Sequence, residues 1–170
     1  NYTQAKKFSN PMSDKMMLKG MSQYIIDEME DHVFYIVGSG STTKAILDNI
    51  GIDGTLLGID IIKNKKLVKK DATEKEILEI ITGQKSKIII TPIGGQGYIL
   101  GRGNQQISSD VVSAVGKENI IIVATSNKLF DLRGKPLLVD TGDEKTDKYL
   151  KGFYKIIIGY GETYVYECVY

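Results

Sequence analysis

The chain has 170 residues, about one domain on the usual scale of roughly 100 to 200 residues, and its 42% hydrophobic and 25% charged content excludes disordered and fibrous classes. With 22 Lys+Arg against 21 Asp+Glu the net charge is +1, so there is no global electrostatic case for a nucleic-acid partner. A single cysteine, Cys168, excludes an intrachain disulfide and a cysteine zinc site, no apolar run approaches the roughly 20 residues that cross a bilayer, and no signal-peptide pattern opens the chain, so a cytoplasmic protein without a membrane partner is expected.

Residues 1–12 carry Lys6, Lys7, Ser9, Asn10 and Pro11 with little apolar periodicity and read as an arm, leaving 13–170 as a single α/β domain. Met17, Met21, Tyr24, Ile25 and Met29 fall three and four apart, which predicts a helix over 13–31 with these residues on its packed face. Val33 to Val37 reads as a strand, Gly38 to Gly40 as a turn, and Ser41 to Ile50 as a helix stopped by Gly51. Thr55 to Ile62 is expected as the next strand, followed by a lysine-rich turn over 63–70. Thr73 and Glu76 have the spacing of a capping box and start a helix through Ile81. Lys87 to Thr91 is a strand, then a long glycine-rich loop leads to a short helix from Ser109 to Val115. Asn119 to Thr125 and Leu137 to Val139 are strands, Asp143 to Leu150 is a helix, and Tyr154 to Ile158 with Thr163 to Val169 form an antiparallel hairpin. Nearly continuous apolar strands alternating with helices predict a three-layer, Rossmann-like α/β sandwich with a mostly parallel sheet.

In such a sheet a ligand is expected beyond the carboxyl ends of the strands. The turn Gly38-Ser39-Gly40-Ser41-Thr42-Thr43 sits there and opens a helix, so its backbone N–H groups and hydroxyls suit a phosphate. It lacks the lysine of a Walker loop and the third glycine of a dinucleotide fingerprint; the alternative is a tight strand-to-helix turn with Ser/Thr capping. The second loop runs through Gly94, Gly95, Gln96, Gly97, Gly101, Arg102, Gly103, Asn104 and Gln105. Five glycines in ten residues are entropically expensive to order in a purely structural connection. Arginine occurs only twice in the chain, at Arg102 and Arg133, so an arginine flanked by glycines and followed by amides suits bidentate anion recognition. The alternative is a flexible surface loop. In Val139-Asp140-Thr141-Gly142-Asp143, Asp143 reads as a helix cap and Asp140 is left open between a ribose hydroxyl, magnesium and no role. Asp60 is a charge inside an apolar strand, where it must be paired or useful, and Lys128 is a candidate to neutralise a phosphate, the alternative being a solvated lysine. His32, the only histidine, reads as structural, and no metal-ligating set is expected.

With these residues assembled, the chain resembles the C-terminal half of the ATP-NAD kinase family, in its long-chain bacterial and archaeal branch. The resemblance is carried by the Gly38 to Thr43 turn, by Thr55-Leu56-Leu57-Gly58-Ile59-Asp60, by the block from Pro92 through Ser108, by Ala124-Thr125 with Lys128-Leu129, and by Val139 to Asp143. It implies phosphorylation of NAD to NADP with ATP and normally magnesium. It also implies a missing N-terminal domain bearing a Gly-Gly-Asp-Gly-Thr element, which Gly51-Ile52-Asp53-Gly54-Thr55 mimics only superficially. The isolated chain is therefore expected to have little kinase activity. Arg102 and Asp60 are the expected catalytic candidates; Gly38 to Thr43, the loop glycines, Gln96, Asn104, Gln105, Lys128 and Asp140 are the expected nucleotide-binding ones. The strand-loop order is also similar to ribose-phosphate isomerase and CoA-transferase domains, which supplies two rivals. One is a sugar-phosphate isomerase with Asp60 as base. The other is a noncatalytic phosphometabolite-binding or oligomerisation module, with a second copy of the chain as a further partner.

Overall fold

The computed structural model describes residues 11–170. The expected arm lies outside the described residues up to position 10, and Pro11 and Met12 already belong to helix α1 (Pro11–Glu28). The elements then run β1 (Phe34–Val37), α2 (Ser41–Ile50), β2 (Asp60–Lys63), β3 (Lys66–Lys69), α3 (Glu74–Ile81), β4 (Ser86–Ile90) and β5 (Tyr98–Leu100). They continue with α4 (Ser109–Val115), β6 (Ile120–Val123), α5 (Ser126–Asp131), β7 (Leu137–Val139), α6 (Glu144–Leu150), β8 (Gly152–Gly159) and β9 (Glu162–Val169). The helix over 41–50 ends as expected, with Gly51 in the left-handed conformation at φ 86. Both hydrogen bonds of the Thr73/Glu76 capping box form.

The nine strands make one sheet in the order β3-β2-β1-β4-β6-β8-β9-β7-β5. Strands β1, β4, β6 and β8 are parallel neighbours, so their carboxyl ends share one rim. The β8–β9 hairpin then reverses direction, and β7 and β5 follow β9 in parallel. The mostly parallel sheet with its C-terminal hairpin agrees with the sequence reading. Alternate residues of the central strands feed two cores. Tyr35, Val37, Ile62, Ile89 and Val123 pack under α1 and α2 with Met21, Ile25, Ile46 and Leu47. Ile36, Ile61, Ile88, Ile90 and Ile122 face the other way, towards Ile77, Val111, Val112, Leu129 and Leu150. Each fully buried isoleucine contributes about 1.5–3 kcal/mol by leaving water. Ile99 and Leu100 of β5 belong to this second core although β5 is the far edge of the sheet.

Several elements depart from the sequence reading. The strand expected over 55–62 is only Asp60–Lys63, and it runs antiparallel to β1, with Val37 opposite Asp60. Thr55 is turned back by the Asp60 carboxylate, which accepts from its N–H at 2.7 Å, and Leu57 is left 81% exposed. The lysine-rich turn is in fact the β2–β3 hairpin. Asn64 and Lys65 at its tip both have positive φ, 52 and 59, as a two-residue turn that matches strand twist requires. The glycine-rich loop contains β5, and the stretch after β6 contains α5.

Candidate functional site

Four of the five helices from α2 to α6 begin with a side chain that satisfies a free backbone N–H: Thr73, Ser108, Thr125 and Asp143 each accept one. Helix α2 does not. It starts after Gly40, at φ 124 and ψ 162, with no side-chain cap. Thr43 is directed inward, its hydroxyl donating to the Gly38 carbonyl at 2.7 Å and the Gly40 carbonyl at 3.1 Å. Thr43 is fully buried, so its hydroxyl serves the turn, while Ser41 and Thr42 line a cleft of about 450 Å3. Gly40, Thr91, Pro92, Gly94, Thr125 and Lys128 also line it. The Lys128 ammonium is held over the cleft by donating to the Gly94 carbonyl at 2.9 Å. The rim formed by the ends of β1, β4 and β6 thus presents an uncapped helix start, two hydroxyls and one cation, a combination that suits an anion.

A second group of expected residues is structural support for this rim. Asn104 is fully buried. Its Oδ1 accepts from the Ser39 N–H at 3.0 Å and from the Ser39 hydroxyl at 2.9 Å, and its Nδ2 donates to the Ile99 carbonyl at 3.2 Å. The Ser39 hydroxyl also donates to the Gly103 carbonyl at 2.9 Å. One amide therefore ties the turn after β1 to the loop after β5. Gly38 has to be glycine for this contact, because a Cβ there would lie 2.8 Å from Ile90 and 3.3 Å from the Asn104 oxygen. Gly101, at φ 97, has the tightest requirement: a Cβ would fall 1.8 Å from the Asp140 carbonyl oxygen. Gly97 and Gly103 also have positive φ and would press on Leu132 and Ile93. Gly94 and Gly95 differ from these, with nothing within 4 Å of a Cβ.

Arg102 does not reach the α2 cleft. Its guanidinium lies 4.4 Å from the centre of the Tyr98 ring and 3.9 Å from the Asp140 carboxylate, with Arg102 and Asp140 both exposed at the surface. Arg102, Gly101, Gln105, Ser108, Asp140 and Thr141 line a separate cleft of about 270 Å3. The expected site is thus divided into two hollows linked by Asn104. Gln96 is exposed on the loop and lines neither. Asp60 is buried, and its two oxygens accept from the Thr55 N–H, the Thr55 hydroxyl and the Asp71 N–H at 2.7 to 3.1 Å. These bonds meet the cost of burying its charge and pin two loops together. Asp143 caps α6, as its position suggested.

The family model for the ATP-NAD kinase C-terminal domain matches residues 30–168, from just before β1 to the end of β9. The chain belongs to this family. No curated protein and no solved structure matches it. Both hollows are built chiefly from ATP-NAD kinase C-terminal residues, but the α2 cleft has two more lining residues, Asp14 and Leu18 of α1, which precede the matched region. Reading the sequence missed Asp14, because an acid in the first turn of a helix is what the helix dipole favours in any case. Among the described residues, no group of three or more His, Cys, Asp or Glu is placed to hold a metal ion, and no helix is long and apolar enough to cross a membrane.

Proposed function

We propose that this chain supplies the nucleotide-phosphate site of an ATP-NAD kinase, which phosphorylates NAD to NADP with ATP when the chain is joined to the family's N-terminal domain. The observation that carries the reading is the uncapped start of α2, opening into the cleft that holds Lys128. Phosphoryl transfer depends mainly on positioning and charge stabilisation. Backbone N–H groups of residues 41–43 with the Ser41 and Thr42 hydroxyls would bind one phosphate, and the Lys128 ammonium would offset its charge. Arg102, free to leave a 3.9 Å surface contact with Asp140, would act on a second anionic group in its own hollow, with Gln105 beside it. Asn104 and Ser39 would keep the two hollows in register. The Asp60 oxygens already hold Thr55 and Asp71, which supports a scaffolding role and weighs against a base. Among the described residues no carboxylate cluster is placed to hold the magnesium that this activity normally uses.

The test is an NADP-forming assay with ATP and NAD, using the chain joined to its N-terminal domain. Turnover that falls at least tenfold in Lys128→Ala, with unfolding unchanged, is expected. Failure to bind ATP or NAD, or turnover of ribose 5-phosphate by the chain alone, overturns the proposal.

A further inference from the structure

The β8–β9 hairpin turns one face to the core and the base of the other to solvent. Tyr154, Ile156, Ile158, Tyr166 and Cys168 are buried in the second core, so strand alternation puts Phe153, Lys155, Val165 and Glu167 on the opposite side of the sheet. This is the side of α1 and α2, because Ile157, next in the row after Lys155, packs with the core beneath them. Helix α1 meets the hairpin near its tip, where Asp27 accepts from the Tyr160 hydroxyl at 2.7 Å and Tyr24 sets its ring edge-on to Tyr160. Towards the base, Phe153 is 61% and Val165 54% exposed. Two large apolar side chains held out on paired strands gain by leaving water, and such a patch marks a contact surface.

The register sets these four residues at the corners of a rectangle: Phe153 pairs with Glu167 and Lys155 with Val165. Apolar residues therefore occupy one diagonal and opposite charges the other. A twofold axis along the apolar diagonal, between two facing copies, brings Phe153 against Phe153 and Val165 against Val165, and it places Lys155 of each copy over Glu167 of the other. With opposed residues about 5 Å apart across the strands and alternate residues about 7 Å apart along them, the two charges are offset by only about 3 Å in the plane of the sheet. A twofold interface requires a patch that complements itself, and this one does so in polarity and in charge. The net charge of +1 leaves little repulsion between copies. We propose that this face is the interface of a homodimer, in which a second copy packs sheet against sheet over Phe153, Lys155, Val165 and Glu167. Phe153 begins β8, at the end of the sheet opposite the carboxyl rim of β1, β4 and β6, so each copy keeps its α2 cleft open. The proposal stands independently of the phosphate site.

Sedimentation equilibrium of the unmodified chain tests this over a range of concentrations, with a reversible dimer expected. Lys155→Glu and Glu167→Lys each set like charges opposite one another twice in the dimer, and each should weaken association about tenfold or more. The double variant Lys155→Glu/Glu167→Lys exchanges the two charges and should recover most of that loss, the signature of a direct contact between them. Val165→Asp, at an exposed position, should give a monomer whose circular dichroism spectrum is that of the unmodified chain. Thermal unfolding of every variant, compared with the unmodified chain at a dilution where that is monomeric, separates loss of association from loss of folding. A monomeric unmodified chain, a dimer indifferent to Val165→Asp, or a double charge variant no tighter than either single one overturns the proposal.

Discussion

Replacing Asn104 with alanine removes the amide that joins the two hollows, and its cost can be worked from the contacts. The Ser39 hydroxyl keeps the Gly103 carbonyl as acceptor, but the Ser39 N–H and the Ile99 carbonyl lose their partner at a fully buried position. Each orphaned group costs about 1–3 kcal/mol, and the space left by the side chain adds to this, so a loss of about 3–5 kcal/mol is expected. Against a typical total of about 5–15 kcal/mol this is severe, and at about 2–4 °C per kcal/mol for a chain of this size it lowers the thermal midpoint by roughly 10 °C. Urea unfolding gives the free energy directly. Asn104→Asp sharpens the test: the new carboxyl still accepts from Ser39, but when ionised it faces the Ile99 carbonyl. Burial beside that oxygen raises its folded-state pKa, so the variant should be most stable in acid and lose stability as pH rises through that pKa. A cost below about 1 kcal/mol for Asn104→Ala would refute the idea that this amide holds the rim together.

Gly101→Ala places a methyl group 1.8 Å from the Asp140 carbonyl at φ 97; the β5–β7 contact should open and expression of folded protein should collapse, read by circular dichroism and hydrogen exchange at β5, whereas Gly95→Ala, with open space around it, should fold normally. Glu76 accepts from the Thr73 N–H and pairs with Lys69, which lowers its carboxyl pKa from 4.5 to about 2. Its contribution is therefore complete above about pH 4.5 and is lost as pH falls towards 2, and the difference in urea midpoint between the natural protein and Glu76→Gln should shrink over that interval. Burial pushes the Cys168 thiol up to about 12, so a thiol reagent at pH 8 should react only after unfolding; rapid labelling of the native protein would contradict the buried position.

Most elements were legible because they rest on local chemistry. The 41–50 helix follows from its Gly51 stop, and the Thr73/Glu76 box from two side chains three apart. What the sequence could not reveal is pairing at a distance. The Asn64-Lys65 turn reads as solvated lysines because neither residue is glycine, so β3 is hidden, and β5 is hidden by the glycines on either side of it. Three-residue strands carry too little periodicity to register. At the site, the glycine-rich blocks pointed to the right loops, but several of their glycines, Gly38 and Gly101 among them, are explained by packing against Asn104 and Asp140. Asn104 itself reads as a ligand contact and proves to be a buried brace. Arg102 reads as one site with the phosphate turn, but its side chain lines a different hollow, although Asn104 of the same loop is bonded to Ser39 of that turn.

The place of β9 between β8 and β7 bears on how the molecule is made. A ribosome delivers β5 and β7 well before β9, and until β9 emerges those two short strands have no sheet to join. Strands β1, β2, β3, β4, β6 and β8 can pair as they appear, whereas β5 and β7 must wait for β9. Asn104 can bridge the two halves only after that step, so the rim matures last. Slow translation near the end of this region would prolong exposure of the β5 and β7 edges, and those are where aggregation of the nascent chain should begin.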